Sequence, residues 1–346
     1  MRDILDTLER WNSAGDAIAL ATVVSTWGSS PRKAGSKMAV RPDGTMVGSV
    51  SGGCVEGAVT ETALQVIQGD PPRLLKFGVS DETAWEVGLA CGGSIEVFVH
   101  KLDREIFEQA ARLIHQESTV ALLTCIEGAG DRSGSQLLLN SEGDPVAGDR
   151  DLLVGRVMDA VREALANGSS VRLNQEPGSD CQLFLDVIPA PSKLVMIGGV
   201  HISIALAEMA RVLGYKTIIV DPRRSFASDE RFPGVDLLIQ SWPQDAYAQI
   251  ALDNETAVAV LTHDPKIDDP AILGALDEPV FYLGVLGSRR THAKRVERLK
   301  QAGCSQEQLV LLHAPIGLDI GARSPEEIAL SIMAEITSAR HGRIDP

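Results

Sequence analysis

Lys193-Leu194-Val195-Met196-Ile197-Gly198-Gly199-Val200-His201 decides the fold. An apolar run this short reads as a strand covered on both faces, and the two glycines behind it read as a tight turn. Ile202 to Leu213 then carries a helical pattern closed by Gly214, and Thr217-Ile218-Ile219-Val220 forms the next strand, with Asp221 at its end. Further strand candidates are Asp236 to Ile239, Ala257 to Leu261, Val280 to Val285 and Leu309 to Leu312, with helical segments between them. The last helix opens on Ser324-Pro325-Glu326-Glu327, a capping box with proline at the first helical position. Strand and helix alternating in this way predict a Rossmann-like, doubly wound parallel sheet over residues 191–346. Pro189-Ala190-Pro191-Ser192 marks the boundary in front of it.

Upstream, residues 1–190 read as an α+β domain that repeats itself. Val120-Ala121-Leu122-Leu123-Thr124 matches Ile18-Ala19-Leu20-Ala21-Thr22, Gly134-Ser135 falls where Gly35-Ser36 fell, and Glu142-Gly143 falls where Asp43-Gly44 fell. A helical pattern from Val154 to Leu165 ends at Gly168, as an earlier one ends at Gly69. The offset stays near 99 residues, so the domain is an internal duplication with halves at about 12–100 and 119–188.

Within the first half, Gly48-Ser49-Val50-Ser51-Gly52-Gly53-Cys54-Val55-Glu56-Gly57 has little bulk for a core. An amphipathic helix follows, which puts Cys54 on or just before its first turn. Unpaired N–H groups and the positive dipole end there favour an anion and a thiolate, and paired glycines let a ligand approach the backbone. The stretch is either an anion-accepting loop with a reactive or ligand-binding cysteine, or a tight turn around a small buried thiol. The second half has Arg150-Asp151-Leu152-Leu153 where the first has Ser51-Gly52-Gly53-Cys54, so folding alone does not require the glycines or the cysteine, and the functional reading is favoured. A second loop, Cys91-Gly92-Gly93, precedes the strand Ser94 to Val99 and is a candidate for the same pocket. Cys125, Cys181 and Cys304 read as core or surface residues, Cys125 buried in its strand.

The chain has 346 residues, 44% hydrophobic and 23% charged, with a formal charge of −15. That charge argues against a nucleic-acid partner, which needs a basic footprint. No apolar run approaches the roughly 20 residues of a membrane span. Met1-Arg2-Asp3-Ile4-Leu5 lacks the layout of a signal peptide. Five scattered cysteines form no disulfide framework, and a reducing cytoplasmic location is the expectation.

In the C-terminal domain Gly198 and Asp221, 23 positions on, are parts of a dinucleotide fingerprint, but Val200 and Ser203 stand at its second and third glycines. A β-branched residue at that place weighs against ordinary NAD binding, while a helix N-terminus still favours an anion. Arg223 follows Asp221 and is a candidate phosphate partner or a solvated charge. Other strand ends offer His263 and Asp264 after one strand, and Gly287, Ser288 and Arg289 after another; the carboxyl ends of parallel strands are where such folds bind ligands. Asp319, between Gly317 and Gly321, is similar. No P-loop, no His-Glu-x-x-His and no tyrosine–lysine pair at reductase spacing is present, which favours binding over reduction.

Ser51-Gly52-Gly53-Cys54-Val55-Glu56, Cys91-Gly92-Gly93, Gly198…His201, Asp221-Pro222-Arg223, Thr262-His263-Asp264, Leu286-Gly287-Ser288-Arg289-Arg290 and Gly317-Leu318-Asp319-Ile320-Gly321 together resemble the XdhC/CoxI family. These are accessory factors of xanthine dehydrogenase and related molybdenum hydroxylases. The resemblance implies a protein without turnover of its own that binds the molybdenum cofactor (molybdopterin), protects it during sulfuration by a cysteine desulfurase and delivers it to the hydroxylase. It implies that Cys54 holds the cofactor, through the molybdenum, and suggests a homodimer. Gly52, Gly53, Glu56, Cys91, Gly92 and Gly93 would complete the cysteine side of the site. Gly198, His201, Asp221 and Arg223, with His263, Asp264, Gly287, Ser288 and Arg289, would serve the cofactor from the nucleotide-like domain. A phosphate, a hydrogen-bonding pterin and a thiophilic metal suit N–H groups, arginines and a thiolate. The alternative is an NAD(P)-dependent oxidoreductase with a redox-active cysteine.

Overall fold

The repeat near 99 residues folds into two antiparallel sheets with the same strand order. The structure, a computed structural model, describes residues 1–28, 32–78, 93–173 and 181–344. The first sheet holds β1 (Ala19–Trp27), β2 (Lys37–Val40), β3 (Met46–Gly48), β4 (Arg73–Phe77) and β5 (Ser94–Lys101), in the order β3-β2-β1-β5-β4. The second holds β6 (Val120–Gly128), β7 (Gln136–Leu139), β8 (Pro145–Gly148), β9 (Val171–Arg172) and β10 (Cys181–Ile188), in the order β8-β7-β6-β10-β9. Even the register shift recurs, between Val23 and Ser25 in one sheet and between Gln182 and Leu183 in the other. An internal duplication is thus built into the backbone.

Each sheet packs one face on its own helix. Helix α2 (Glu56–Gln68) buries Val59, Ala63 and Val66 against Ala19, Ala21, Val23 and Val97, and Gly69 ends it at φ +118°. The corresponding helix, Val157–Asn167, buries Val157, Val161 and Ala164 against Ala121, Leu123 and Leu185. It starts after a 3-10 turn at Arg150–Leu152, later than the Val154 start expected from periodicity. Helix α1 (Leu5–Ser13) and helix α3 (Arg104–His115), which precedes that helix (α4), share a cluster with Leu20 and Leu122. Val24, Phe98, Ile126 and Phe184 form a further apolar cluster contributed by both sheets. In the same unit lies a buried polar group. Lys37 Nζ donates to Asp186 Oδ2 at 2.5 Å and to Thr22 Oγ1 at 3.3 Å, whereas the second half has Gln136 donating to Thr124 at 3.1 Å. Cys125 and Cys181 are buried.

Met1–Ala190 forms one unit and Pro191–Pro346 another. In the second, apolar strands alternate with helices: β11 (Lys193–Ile197), α5 (His201–Val212), β12 (Lys216–Val220), β13 (Leu237–Ile239), α6 (Pro243–Ile250), β14 (Thr256–Val260), α7 (Pro265–Leu276), β15 (Tyr282–Val285), α8 (Arg289–Gln301), α9 (Gln306–Val310), β16 (Leu312–His313) and α10 (Pro325–Arg340). All pairings are parallel, in the order β13-β12-β11-β14-β15-β16. The chain reverses direction across the sheet between β11 and β14, the place where this topology opens a ligand crevice. Helices α5 and α10 cover one face through Leu206, Ala210, Ile332 and Ile336, and α6, α7 and α8 cover the other through Ala246, Ile267, Ile272 and Leu299.

A further element departs from the sequence reading. Leu309 to Leu312 is not a continuous strand. Ser305 and Gln308 make a reciprocal capping box that starts α9 through Leu309, and only Leu312–His313 pairs with the sheet. Ser324 and Glu327 make the expected box at α10. Among the described residues no helix is long and apolar enough to cross a membrane.

Candidate functional site

The cysteine loop is organised by the first residue of the helix behind it. Glu56 Oε1 accepts from Ser49 Oγ at 2.7 Å and from the backbone N–H groups of Val50, Ser51 and Gly52 at 3.2, 2.9 and 3.0 Å. Its Oε2 accepts from Ser51 Oγ at 2.5 Å and from the N–H groups of Gly53 and Val55 at 2.9 and 3.2 Å. Burial alone would raise the Glu56 pKa, but the donors from Ser51, Ser49 and the backbone outweigh it and bring it down to about 2. The expected anion-accepting loop is therefore present, but the anion is the protein's own. The loop N–H groups proposed for a phosphate are committed to Glu56.

What the loop presents outward is Cys54. Its N–H donates to Ser51 Oγ at 3.1 Å and its side chain is exposed, one residue before the helix N-cap, so the buried-thiol alternative does not hold. Gly53, at φ +124°, and Gly57 have no atom within 4 Å of where a side chain would begin, so bare backbone flanks the thiol. In the second half Leu153 and Gly155 stand at the positions of Cys54 and Glu56, and Asp149 caps a 3-10 turn instead. Gly93 is buried ahead of β5, and Cys91 and Gly92 lie outside the described residues. Among the described residues no cluster of His, Cys, Asp and Glu could hold a metal ion by itself.

In the second unit the Gly198 turn is filled from within. Asp221 is fully buried; it accepts from Gly199 N at 2.9 Å and from Arg223 N, Nε and Nη2 at 2.9, 2.9 and 2.7 Å. Burial works to raise its pKa, yet the Arg223 guanidinium and backbone donors leave it lowered. A carboxylate so engaged has little left for a ribose. A side chain at Gly199 would meet the Phe226 carbonyl oxygen at 2.2 Å, so the glycine serves packing by the chain itself. Ser203, at the third fingerprint position, turns its Oγ back to the Gly198 carbonyl at 2.6 Å. Val200 is the N-cap of α5 and His201 its exposed first residue.

At the neighbouring strand ends, Asp264 caps α7 by accepting from Lys266 N at 3.0 Å, and Ser288 caps α8 by accepting from Thr291 N at 3.2 Å. His263 is left-handed at φ +68°, and Gly287 precedes the α8 cap at φ +149°. Arg289 is exposed at the first residue of α8. Two groups escaped the sequence reading. Glu335 accepts from Tyr282 Oη at 2.5 Å and from Gly317 N at 2.7 Å, anchoring the loop that carries Asp319. Arg295 is buried beside Asp268 at 3.4 Å. The available signal was its position one turn before Leu299, on the buried stripe of α8.

Two family descriptions match the sequence: an XdhC and CoxI family model over residues 11–78 and an XdhC Rossmann domain over residues 194–336. The chain is 30% identical over 329 residues to the molybdenum cofactor insertion chaperone PaoD of Escherichia coli, covering 94% of this chain and 85% of PaoD. The chain belongs to the XdhC and CoxI family. This family member is also 28% identical over 326 residues to a probable xanthine dehydrogenase subunit of Bacillus subtilis, covering 93% of one and 92% of the other. A crystal structure of a xanthine dehydrogenase from Bacillus halodurans superposes with a TM-score of 0.78 at 25% identity, covering 98% of this chain and 96% of that one. The XdhC Rossmann match spans β11 to α10, and the XdhC and CoxI match runs through the Cys54 loop and α2.

Proposed function

We propose that this chain holds the molybdenum cofactor and delivers it to a xanthine dehydrogenase-type molybdenum hydroxylase. One observation carries the reading: Cys54 stands exposed on a glycine surface whose shape is fixed by Glu56, and the duplicated half lacks every part of that arrangement. The names of two relatives, a cofactor insertion chaperone and a dehydrogenase subunit, agree with it.

The cofactor is cargo, and the chain's own groups divide the work. Cys54 would offer the soft sulfur donor that a thiophilic metal prefers. Gly52 and Gly53 leave room for a flat ring system close to the backbone. Because Glu56 has already satisfied the loop donors, binding does not have to order the loop, which reduces its entropic cost. The pterin's phosphate must then find its counter-charge elsewhere than at the loop N–H groups. In the Rossmann unit, taken by itself, His201, Arg223, His263 and Arg289 are proposed as cofactor-binding residues, with Gly198, Asp221, Asp264, Gly287 and Ser288 shaping the strand ends. Cys91, Gly92 and Gly93 are proposed with the cysteine loop. A cysteine desulfurase partner, a homodimer and a cytoplasmic setting complete the proposal. A nicotinamide dinucleotide is a poorer match, since Asp221 is already bound by Arg223 and Gly199.

Anaerobic purification followed by oxidation to the fluorescent pterin tests this. The wild-type chain should carry or take up molybdopterin, and Cys54→Ala should lose most of it. Equal pterin content in the two proteins would refute the role given to the sulfur.

A further inference from the structure

A charged cavity of about 270 Å³ lies in the Rossmann unit where β14 and β15 end. Four cationic side chains of α8 line it, Arg290, Lys294, Arg295 and Arg298, together with His263 and Asp268. Arg298 is engaged by Asp269 at 2.6 and 2.9 Å. Asp268 accepts from Thr262 Oγ1 at 2.5 Å and from Arg295 Nη2 at 3.4 Å. Arg290 and Lys294 are exposed, and among the described residues neither has an ion pair. Positive charge therefore exceeds the carboxylates that face it.

Arg295 is the telling residue. It is 1% exposed, and Nη2 reaches the Leu286 carbonyl at 3.0 Å, yet its buried Nε and Nη1 have no acceptor. Buried donors are almost always paired in folded proteins, and charged guanidinium N–H groups are strong partners for an oxyanion. The N-terminus of α8, capped by Ser288 and reached through Gly287, adds the positive end of a 13-residue helix. The left-handed backbone of His263, on the same wall, is a conformation rarely held without a reason.

We propose that this cavity is an oxyanion site for the phosphoryl group of a phosphate ester or diphosphate. Arg290 and Lys294 meet the ligand from the open side, and Arg295 supplies a buried guanidinium N–H donor. Four cations set against two carboxylates, Asp268 and Asp269, leave an excess of positive charge that matches a multiply charged anion better than a simple carboxylate. The inference does not rest on Cys54, and it moves the phosphate function from the Gly198 turn, and from Arg289, to the next turns of α8.

The test uses the full chain and calorimetric titration with inorganic phosphate, AMP, ADP and NAD⁺ at constant ionic strength. At least one should bind. The double variant Arg290→Gln/Lys294→Gln, at exposed positions that the fold does not need, should bind it at least tenfold more weakly. Lys300→Gln, exposed on the same helix, should bind as the wild type does. Arg295→Lys, which keeps the charge and removes the Nε and Nη1 donors, should also weaken binding. Binding of phosphate and AMP without NAD⁺ would identify a terminal phosphoryl group, and binding of ADP and NAD⁺ a diphosphate; either supports the site. No binding of any of the four, or equal affinity in the double variant, would overturn it.

Discussion

Glu56→Gln removes one charge from the centre of the cysteine loop and nothing from its surface. Seven donors converge on the carboxylate, five of them backbone N–H groups. The amide would turn an NH2 group toward at least three of them and leave buried N–H groups without an acceptor. The carboxyl is held at about 2 against an ordinary 4.5, which corresponds to on the order of 3 kcal/mol of preference for the charged form in the folded loop. A depressed carboxyl contributes stability that is complete above pH 4.5 and disappears as the pH falls toward 2. Hydrogen exchange by mass spectrometry reads this locally. At neutral pH the amides of residues 50–55 should exchange about a hundredfold faster in Glu56→Gln than in the wild type, while those of β11 and β14 do not change. Protection within a few-fold of wild type would show that Glu56 does not hold the loop.

Three further outcomes follow from buried groups. Asp186→Asn strands the Lys37 ammonium, 2% exposed, and should cost about 3–5 kcal/mol in urea unfolding, whereas the paired replacement Lys37→Met/Asp186→Leu should recover most of that loss. Gly199→Ala drives a methyl group to 2.2 Å from the Phe226 carbonyl oxygen, backbone that cannot swing aside, and should destabilise the Rossmann unit by ~2 kcal/mol or more by calorimetry. Burial holds His100 at about 4 instead of 6.5, so its contribution is whole above pH 6.5 and falls away as the pH drops toward 4. His100→Leu should flatten that part of the stability–pH curve.

The Rossmann sheet was legible because its strands are short, apolar on both faces and punctuated by glycine, as at Ile197-Gly198-Gly199. The duplication was legible because turn residues recur at one offset, and the missing glycines in the second half singled out Cys54. Partnership was harder to read. Glu56 appeared as a candidate ligand because a sequence does not reveal that seven nearby donors turn inward to one carboxylate. Asp264 and Ser288 occupy sites where a ligand residue and a helix cap have the same sequence signature. Leu309 looked like strand because an apolar run outweighed Ser305 and Gln308, whose capping box needs both side chains placed to be recognised. Arg295 escaped because a charged residue on a buried stripe has the same spelling as one on the surface.

The role proposed for Cys54, as the cargo's anchor, is tested most directly by molybdenum K-edge X-ray absorption on cofactor-loaded protein prepared anaerobically. Wild-type protein should show a sulfur ligand to molybdenum that exchanges for oxygen, or disappears together with the metal, in Cys54→Ser. Equal molybdenum content and an unchanged first coordination shell in the variant would contradict the account.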